Sequence, residues 1–459
     1  MKPYPEYKET GLAWLPKIPK HWELVRAKQL FFPIDKRSES GHEELLSVSE
    51  QFGVVKRSNA NVTMFMAASY EGYKLCWPDD LAINSLWAWS YGLGFSKYHG
   101  IISTAYSVFR LKDKEKCFPC FYDYFVRSKK FHWELRVRSK GLWKSRYQLS
   151  DDSFLSAPMI LPPVDEQAQI VRYLDAMTAK INKLIRAKKK QIALLQEQKQ
   201  AIINQAVTKG LEPHAEMKDS GIDWLGRIPK HWMTNVIKQY FRIKKRIARK
   251  EGYNVLSITQ DGLKIKDIST NEGQMAMNYA GYQFVMPGDF AMNHMDLLTG
   301  YIGFSHFFGV TSPDYRVFEL YDTINCCPNY HLYVFQLCYK RRIFYRYGRG
   351  AASIGRWRLP AREFLNFLIP IPPLEEQNAI VEYLDKQCAD IDMMIAQCEK
   401  EITLVMEYKN SLISAVVTGQ VDVRNIAVND ITSEELLPED IDDSESNEVE
   451  EQSTTEREE

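Results

Sequence analysis

The chain has 459 residues and a mass of 53.4 kDa, about three times the length of a typical domain, which excludes a single compact core. Its composition, with 45% hydrophobic, 12% aromatic and 26% charged residues, is that of a globular protein that can bury sizeable cores. The sequence has no run of about 18 apolar residues and no apolar run at its N-terminus, so we expect a cytoplasmic protein with no membrane partner.

The net charge of zero is the sum of an acidic region and a basic region. Residues 429–459 carry fourteen Asp and Glu against one base, whereas residues 1–428 carry 58 Lys and Arg against 45 Asp and Glu. An excess of positive charge over the body of the chain favours a polyanionic partner, although a solvated basic surface would have the same composition. The acidic segment is poor in aromatic residues and is predicted to be disordered.

The first recognisable element is a box that occurs twice. Residues 7–31 align with residues 217–241 at an offset of 210, and 12 of the 25 positions are identical. The shared core, at residues 11–22 and 221–232, reads G-x-x-W-L-x-x-I-P-K-H-W. A repeat of this length predicts a duplicated architecture, with one box opening each half of the chain.

A divergent middle follows each box, at residues 33–157 and 243–367. Short apolar runs bounded by Gly, Pro, Asn and Asp predict strands, and an aromatic run predicts a helix. The predicted strands lie at 54–55, 107–111, 255–258 and 316–320, and the predicted helix at 120–126. Each middle is therefore predicted to be a mixed domain of about 150 residues.

Each half closes with a predicted long helix. A Pro-Pro pair and two acidic residues mark each start, and apolar residues then recur at steps of three and four from residue 170 and from residue 380. About 43 helical residues would span roughly 65 Å. Residues 165–209 carry nine bases and four acids, whereas residues 375–419 carry three bases and nine acids. This complementarity predicts an antiparallel helix pair, with a helix capping its own domain as the alternative.

The predicted fold class is α+β, with two mixed α/β domains related by internal duplication and separated by two long antiparallel helices. The predicted boundaries are 1–158 for the first domain, 159–212 for the first helix, 213–368 for the second domain, 369–424 for the second helix and 425–459 for the acidic tail.

Motifs for catalysis are absent from the sequence. It contains no G-x-x-x-x-G-K-[ST], H-E-x-x-H or G-x-S-x-G, so we expect a non-catalytic chain. The Cys117–Cys120 pair has no second pair to complete a zinc site, which favours reduced thiols over a metal. His21 and His231 lie beside Trp and Pro in the repeated boxes, which favours a packed turn over a ligand or a base.

Features of DNA recognition occur at matching places in both middles. A basic, glycine-containing loop lies at residues 136–146 and again at 346–358. Polar groups that could read base edges lie at residues 84–87 and 293–296. A solvated surface role is the alternative for each residue singly. The predicted DNA-binding residues are Asn84, Trp87, Arg138, Lys140, Lys144, Arg146, Asn293, His294, Arg349, Ser353, Arg356 and Arg358.

The duplicated boxes, each followed by a variable domain and a P-P-x-[DE]-E-Q-x-x-I-V-x-Y-L-D helix, resemble the specificity subunit of type I restriction-modification systems. The resemblance covers residues 7 to about 420. It implies that each domain reads one half of a bipartite site on double-stranded DNA. It also implies two modification (methyltransferase) subunits and restriction (translocase and nuclease) subunits as partners. Partner binding is expected at Trp14, Trp22, Gln167, Trp224, Trp232 and Gln377.

The resemblance implies no cofactor or metal in this chain itself. It implies S-adenosylmethionine, ATP and Mg for the partner subunits. Two alternatives remain at the level of the sequence: a bipartite DNA-binding regulator or scaffold outside restriction-modification, and a stand-alone DNA-modifying enzyme. Co-purification with a methyltransferase favours the specificity subunit, whereas DNA modification by this chain alone favours the stand-alone enzyme.

Overall fold

A computed structural model describes residues 2–50, 52–59, 69–141, 147–259, 262–268, 276, 278–298, 300–350 and 357–428. The chain forms two compact units. The first combines the residues up to Lys189 with those from Glu399 onward, and the second comprises Lys190–Cys398. Each unit therefore takes its helical part from both halves of the sequence.

The first unit contains twelve strands and four short helices among its described residues before the first long helix. In chain order they are β1 (Tyr7–Leu12), β2 (Leu15–Pro19), β3 (Glu23–Arg26), α1 (Ala27–Leu30), β4 (Phe31–Ile34), β5 (Leu46–Ser49), β6 (Gly53–Lys56), β7 (Lys74–Cys76), β8 (Asp80–Asn84), β9 (Leu93–Phe95), β10 (Gly100–Ile102), β11 (Tyr106–Leu111), α2 (Pro119–Val126), α3 (Lys129–Arg138), α4 (Asp151–Leu155) and β12 (Pro158–Leu161). The long helix α5 (Val164–Lys209) follows.

The second unit repeats this order. Its strands and short helices are β13 (Met217–Asp219), β14 (Arg227–Pro229), β15 (Met233–Val236), β16 (Phe241–Lys244), β17 (Leu256–Thr259), β18 (Gly262–Ile265), β19 (Gln283–Val285), β20 (Asp289–Met292), β21 (Ile302–Phe304), β22 (Gly309–Thr311), β23 (Arg316–Leu320), α6 (Pro328–Lys340), α7 (Ala361–Leu365) and β24 (Leu368–Ile371). The second long helix, α8 (Leu374–Val417), completes the described elements.

The sheets have the same topology in both units. A four-stranded antiparallel sheet has the order β4-β11-β8-β9 in the first unit and β16-β23-β20-β21 in the second. Four two-stranded ladders accompany each, namely β1-β2, β3-β12, β5-β6 and β7-β10, and then β13-β14, β15-β24, β17-β18 and β19-β22. The apolar faces of the four-stranded sheets pack against α2 and α6 in two cores rich in phenylalanine.

Glycines that the two middles share mark close backbone approaches. A Cβ atom at Gly100 would lie 2.2 Å from Glu44 O, and one at Gly309 would lie 2.5 Å from Asn254 O. Any larger residue would therefore separate the neighbouring backbone segments. This steric limit explains why these two positions match although the sequences around them diverge.

The two long helices run antiparallel within each unit. In the first unit Lys188 Nζ lies 2.7 Å from Glu401, and Lys409 Nζ donates to Asn182 Oδ1 at 2.8 Å. In the second unit Lys199 Nζ lies 2.7 Å from both carboxylate oxygens of Asp392. Residue numbers rise on one helix as they fall on the other, which defines the direction. The opposite charges of the helices thus meet at specific pairs, and apolar residues of both helices enter each core.

The end of each long helix packs against a box. A Cβ at Gly419, just after α8, would lie 2.4 Å from Pro19 and 3.0 Å from Trp22 in the first unit. A Cβ at Gly210, just after α5, would lie 3.2 Å from Trp232 in the second unit. Both glycines have positive φ, at 68° and 75°, and so end their helices in the left-handed conformation. Each box is therefore closed by the helix that comes from the other half of the sequence.

The predicted α+β class, the duplication and the antiparallel long helices are confirmed. The strands predicted at 54–55, 107–111 and 316–320 lie in β6, β11 and β23, and the strand predicted at 255–258 begins one residue later. The helix predicted at 120–126 lies in α2. Of the predicted tail, residues 425–428 lie against the first unit, where Gln169 Nε2 donates to Ile426 O at 2.9 Å. Residues 429–459 lie outside the described residues.

None of the helices in the described part of the chain is both long and apolar enough to cross a membrane.

Candidate nucleic-acid interface

Each unit carries a loop whose two ends are joined by a pair of backbone hydrogen bonds. In the first unit, Lys140 and Gln148 each donate an N–H to the other's carbonyl oxygen at 3.0 Å. In the second unit, Arg349 and Arg358 exchange the same two bonds at 2.7 and 3.0 Å. Three of these four residues are basic, and Lys140 and Arg358 are exposed. We call the two paired residues at the ends of each loop the loop base. The loop bases thus hold positive charge at matching positions in the two units.

A turn that begins with asparagine lies in each unit at the end of a central strand, β8 or β20. Asn84 Oδ1 accepts a hydrogen bond from Leu86 N–H, and Asn293 Oδ1 accepts one from Met295 N–H, each at 3.2 Å. These side-chain bonds to the backbone two residues ahead fix the turns locally. The two turns therefore begin with the same hydrogen bond although they share few residues.

One hydrogen bond joins the turn to the loop base in each unit. Leu149 N–H donates to Ser85 O at 2.9 Å, and Leu359 N–H donates to His294 O at 2.9 Å. Both leucines come directly after the loop base. The turn and the loop of each domain, which are far apart in sequence, therefore lie side by side. We call these two surfaces the first and the second recognition site.

Aromatic side chains cover the first recognition site. Trp87 and Trp89 stack with ring centroids 5.9 Å apart, and Tyr147 meets Trp89 edge-on at 6.1 Å. Tyr91 stacks on His132 at 3.8 Å, and burial lowers the pKa of that histidine. Trp87 is 37% exposed. Exposed aromatic rings beside a basic loop can contact the apolar parts of DNA, such as thymine methyl groups.

The second recognition site is built around one tryptophan. Trp357 Nε1 donates to Tyr345 O at 2.7 Å, and the two rings lie 5.3 Å apart. A Cβ at Gly348 would lie 2.3 Å from Trp357 Nε1, so glycine is required for this approach. Arg349 forms an ion pair with Glu363 at 2.9 Å, with three quarters of its side chain exposed. The loop end is thus fixed by Trp357 while its guanidinium groups stay accessible.

His294 is the titratable group at the centre of the second site. Burial, followed by the charges of Arg316 and Arg358, lowers its pKa to about 4. Its Nδ1 atom is buried and has no hydrogen-bond partner among the described residues. The imidazole is therefore neutral near pH 7, with one ring nitrogen a donor and the other an acceptor, as its tautomer determines.

Arg138 differs from the other predicted DNA-binding residues. Its guanidinium lies 2.5 Å from Glu134 and donates to Ser156 Oγ at 2.7 Å. It is thus occupied within the first unit, whereas Lys140, like Arg136, is exposed on the described part of that loop. The predictions for Lys144, Arg146, Ser353 and Arg356 lie outside the described residues.

The tryptophans of the boxes are held inside the units. Trp22 and Trp232 are fully buried. Trp14 and Trp224 are half-buried, and the indole N–H of each is buried without a partner among the described residues. Trp22 and Trp232 thus pack the boxes onto the cores and present no surface to another subunit.

Gln167 and Gln377 are also fully buried, and they make matching sets of backbone hydrogen bonds. Gln167 accepts from Phe118 N–H at 2.8 Å and donates to two carbonyl oxygens. Gln377 accepts from Cys327 N–H at 2.8 Å and likewise donates to two. Each glutamine ties the start of its long helix to the start of α2 or α6. Trp22, Trp232, Gln167 and Gln377 were predicted to bind a partner. Because they are buried, the structure gives them a role inside their units and no direct contact with a partner.

A repeated His–Glu hydrogen bond, which the sequence alone did not reveal, fixes each box to its long helix. His21 Nε2 lies 2.7 Å from Glu166 Oε2, and His231 Nε2 lies 2.8 Å from Glu376 Oε2. Trp232 Nε1 also donates to Glu376 at 3.0 Å. The sequence did carry a signal, because both pairs are separated by 145 residues. From the helix pattern alone, both glutamates are predicted only as acids at the starts of the helices.

The cysteines carry no indication of a metal in the described part of the chain. All eight are free thiols, and burial raises the pKa of Cys117. No group of three His, Cys, Asp or Glu side chains among the described residues could hold a metal ion.

Sequence comparison relates the chain to restriction-modification proteins. Residues 233–404 match the family model of the type I restriction modification DNA specificity domain. Over 435 residues the chain is 23% identical to the type I restriction enzyme MjaVIII specificity subunit of Methanocaldococcus jannaschii, covering 89% of this chain and 95% of that protein. It is 25% identical over 293 residues to the putative type I restriction enzyme MjaX specificity subunit of the same organism, covering 58% of this chain and 59% of the relative.

Structural comparison gives the same fold. A chain from a solved structure that concerns complex assembly and conformational transition of the type I R-M system superposes with a TM-score of 0.63. The two share 15% sequence identity, and the match covers 88% of this chain and 99% of that one. The similarity in fold thus covers nearly the same share of the chain as the sequence similarity to the MjaVIII subunit.

Proposed function

We propose that the chain is a specificity subunit of a type I restriction-modification system and that each of its two units reads one half of a bipartite DNA sequence. The observation that carries this proposal is the repeated recognition site. In both units a basic loop and an asparagine turn are joined by the same hydrogen bond, Leu149 to Ser85 and Leu359 to His294. The two sites share their backbone arrangement and differ in their side chains, which suits two different half-sites.

The chemistry of the sites supports a division between affinity and specificity. Residues 1–428 carry 58 Lys and Arg against 45 Asp and Glu, and such an excess gives salt-dependent affinity for the phosphates of any DNA. Base readout then falls to groups near the turns. Arg358 can donate two hydrogen bonds to guanine, and Asn84 and Asn293 carry amides of the kind that pair with adenine. Arg349 and Lys140 suit contacts with phosphate or guanine.

We further propose that the chain contributes no catalysis of its own. Two modification subunits would methylate DNA with S-adenosylmethionine, and restriction subunits would use ATP and Mg for translocation and cleavage. Their contact surfaces on this chain would be the exposed parts of the boxes, with Trp14 and Trp224 as the half-buried members. The repeated His–Glu pairs would then hold both boxes in one orientation relative to the helices, so that each presents the same surface.

Methylation mapping tests this function. The chain is co-expressed with a candidate methyltransferase subunit, the complex is purified, and methylated positions in genomic DNA are sequenced. We expect a bipartite motif with two defined halves and an undefined gap. A matched variant replaces residues 243–367 with the corresponding segment of a relative, and should change one half of the motif only. A change in both halves would contradict independent readout.

Two other outcomes separate the alternatives. Methylation or cleavage by this chain without a partner would indicate a stand-alone enzyme. Specific DNA binding without a stable complex with any methyltransferase would indicate a regulator or scaffold.

A further inference from the structure

A buried arginine lies directly beneath the second recognition site. Arg316 is the first residue of β23 and pairs with Met292 at the end of β20, next to the turn that contains His294. Its side chain is 6% exposed. One guanidinium nitrogen donates to Leu359 O at 2.8 Å, and the guanidinium lies over the ring of Phe364 at 5.2 Å. Arg316 therefore contacts the residue that directly follows the loop base.

This guanidinium has no carboxylate partner among the described residues. Its other polar contact is from Nη1 to Met292 Sδ at 3.8 Å. Burial lowers its pKa to about 10, which leaves it charged near pH 7. By contrast, Asp80, the buried acid at the start of β8, meets Arg110 through two hydrogen bonds at 2.7 and 2.8 Å. An unpaired buried charge is strongly unfavourable to folding, so its presence needs another reason.

The equivalent position in the first unit holds an uncharged residue. Ser107 is the equivalent of Arg316, because it pairs with Ile83 as Arg316 pairs with Met292. Its hydroxyl donates to Asp151 and lies 3.2 Å from Ser85 Oγ. At this place the first unit has an acidic residue and a closed hydrogen-bond network. The second unit has a cation, and the first residue of its α7, the equivalent of Asp151, is an alanine.

The surface of the second recognition site carries positive charge, as Arg316 does beneath it. Arg358 is exposed directly above, and it lies close enough to His294 to act on it electrostatically. A cation within the low-dielectric interior acts more strongly on a nearby charge than one in water does. Arg316 and Arg358 together therefore give the second site a positive potential that the first site lacks at this depth.

We propose that Arg316 is a positioning residue for DNA readout by the second unit: it ties the turn at His294 to the base of loop 349–358, and its charge is balanced by an electronegative group of the DNA above it. The inference rests on the proposed function of the chain. The balancing group is a phosphate oxygen or an acceptor on a base edge, because both carry the required negative potential. Arg316 acts through His294 and the loop base, since its own side chain is buried.

The test rests on the unfavourable effect that the unpaired buried charge of Arg316 has on folding. Arg316→Met keeps an unbranched side chain that can pack in the core and removes the charge, whereas Arg316→Lys keeps the charge. We measure binding of the full complex with its methyltransferase to DNA with single-base changes in each half-site, and thermal unfolding of the same proteins. Arg316→Met should weaken binding about tenfold or more through the second half-site, without lowering the unfolding temperature. Arg316→Lys should retain most of the affinity.

The pattern across DNA variants identifies the balancing group. A loss confined to one base position indicates a base edge, and an equal loss for all variants of the second half-site indicates a phosphate. Ser107→Ala in the first unit is the matched control and should leave the second half-site unchanged. A lower unfolding temperature for Arg316→Met with equal effects on both half-sites would overturn the inference and indicate a structural arginine. Unchanged binding would overturn it as well. If the wild-type complex recognised no specific sequence, the proposed function would fail first.

Discussion

Nε2 of His21 lies 2.7 Å from Oε2 of Glu166, although 145 residues separate them, and the second half of the chain repeats the contact between His231 and Glu376 at 2.8 Å. The carboxylate of Glu166 is also the acceptor for the hydroxyl of Tyr4. One buried acid in the first turn of a long helix thus holds two groups of the opening segment. Both halves of the duplicated chain have this contact, because the contact fixes where each helix leaves its domain.

We predict that Glu166→Ala lowers the stability of the first unit by about 1–3 kcal/mol, because it leaves Tyr4 and His21 without their shared acceptor. Hydrogen exchange should locate the loss in the first unit, near β2 and the start of α5. Asp165→Ala is the control, since this neighbouring acid is exposed at the same helix start. Equal effects of the two substitutions would mean that only the helix dipole is involved.

Lys140→Ala and Arg358→Ala should act on different half-sites. Each removes an exposed base from one loop, so each should weaken recognition by one unit. A lost guanine contact should cost about 1–3 kcal/mol at one base position, whereas a lost phosphate contact should weaken all sequences equally. Binding to a set of single-base variants distinguishes the two, and the untouched half-site is the internal control. Loss through the wrong half-site would contradict the assignment of the loops.

His331→Phe should stabilise the second unit, and more so in acid. The imidazole is fully buried, and both its nitrogens lack partners among the described residues. Burial lowers its pKa to about 3, against about 6.5 in the unfolded chain. The unfolded state therefore binds more protons below pH 6.5, and the wild type loses stability as the pH falls. This difference reaches about 2 kcal/mol at pH 5 and disappears above pH 7.

Urea unfolding at pH 5 and pH 7.5 checks this prediction. The reciprocal substitution Tyr122→His is the matched control, because Tyr122 packs on Phe31 as His331 packs on Phe241. It should make the first unit acid-sensitive in the same way. A wild type and a His331→Phe variant with parallel pH profiles would exclude a neutral buried histidine.

Paired insertions in the long helices test whether they set the gap between half-sites. Four residues inserted at 188–190 add roughly 6 Å and turn the helix by about 40°. An insertion in α5 alone shifts it past its partner and should break pairs such as Lys188–Glu401. A second insertion of four residues next to Glu401 restores the register.

With both insertions, the gap should lengthen by one or two base pairs, since one base pair turns DNA by about 34°. Methylation-aware sequencing reads the gap directly. The single insertion should reduce activity without creating a defined new gap. An unchanged gap with full activity in the double variant would mean that the helices do not set the spacing.

Much of the architecture followed from the sequence. The repeated boxes, the Pro-Pro helix starts and the opposite charges of residues 165–209 and 375–419 predicted a duplicated α+β chain with two antiparallel helices. The reason is that repeats, helical periodicity and charge depend only on the order of the residues, so they are visible in the sequence itself. The loops and asparagine turns could be proposed for the same reason, because both copies carry them at matching places.

Only the tertiary structure decided what these residues touch. It placed Trp22, Trp232, Gln167 and Gln377 inside the units, where they hold the helices in place and offer nothing to a partner. It joined each turn to its loop through one hydrogen bond, and it set the unpaired charge of Arg316 beneath the second site. Burial and hydrogen bonding depend on strands that lie far apart in the chain and meet only in the folded state. The sequence determines which groups are present, and the packing of those strands decides which of them DNA can reach.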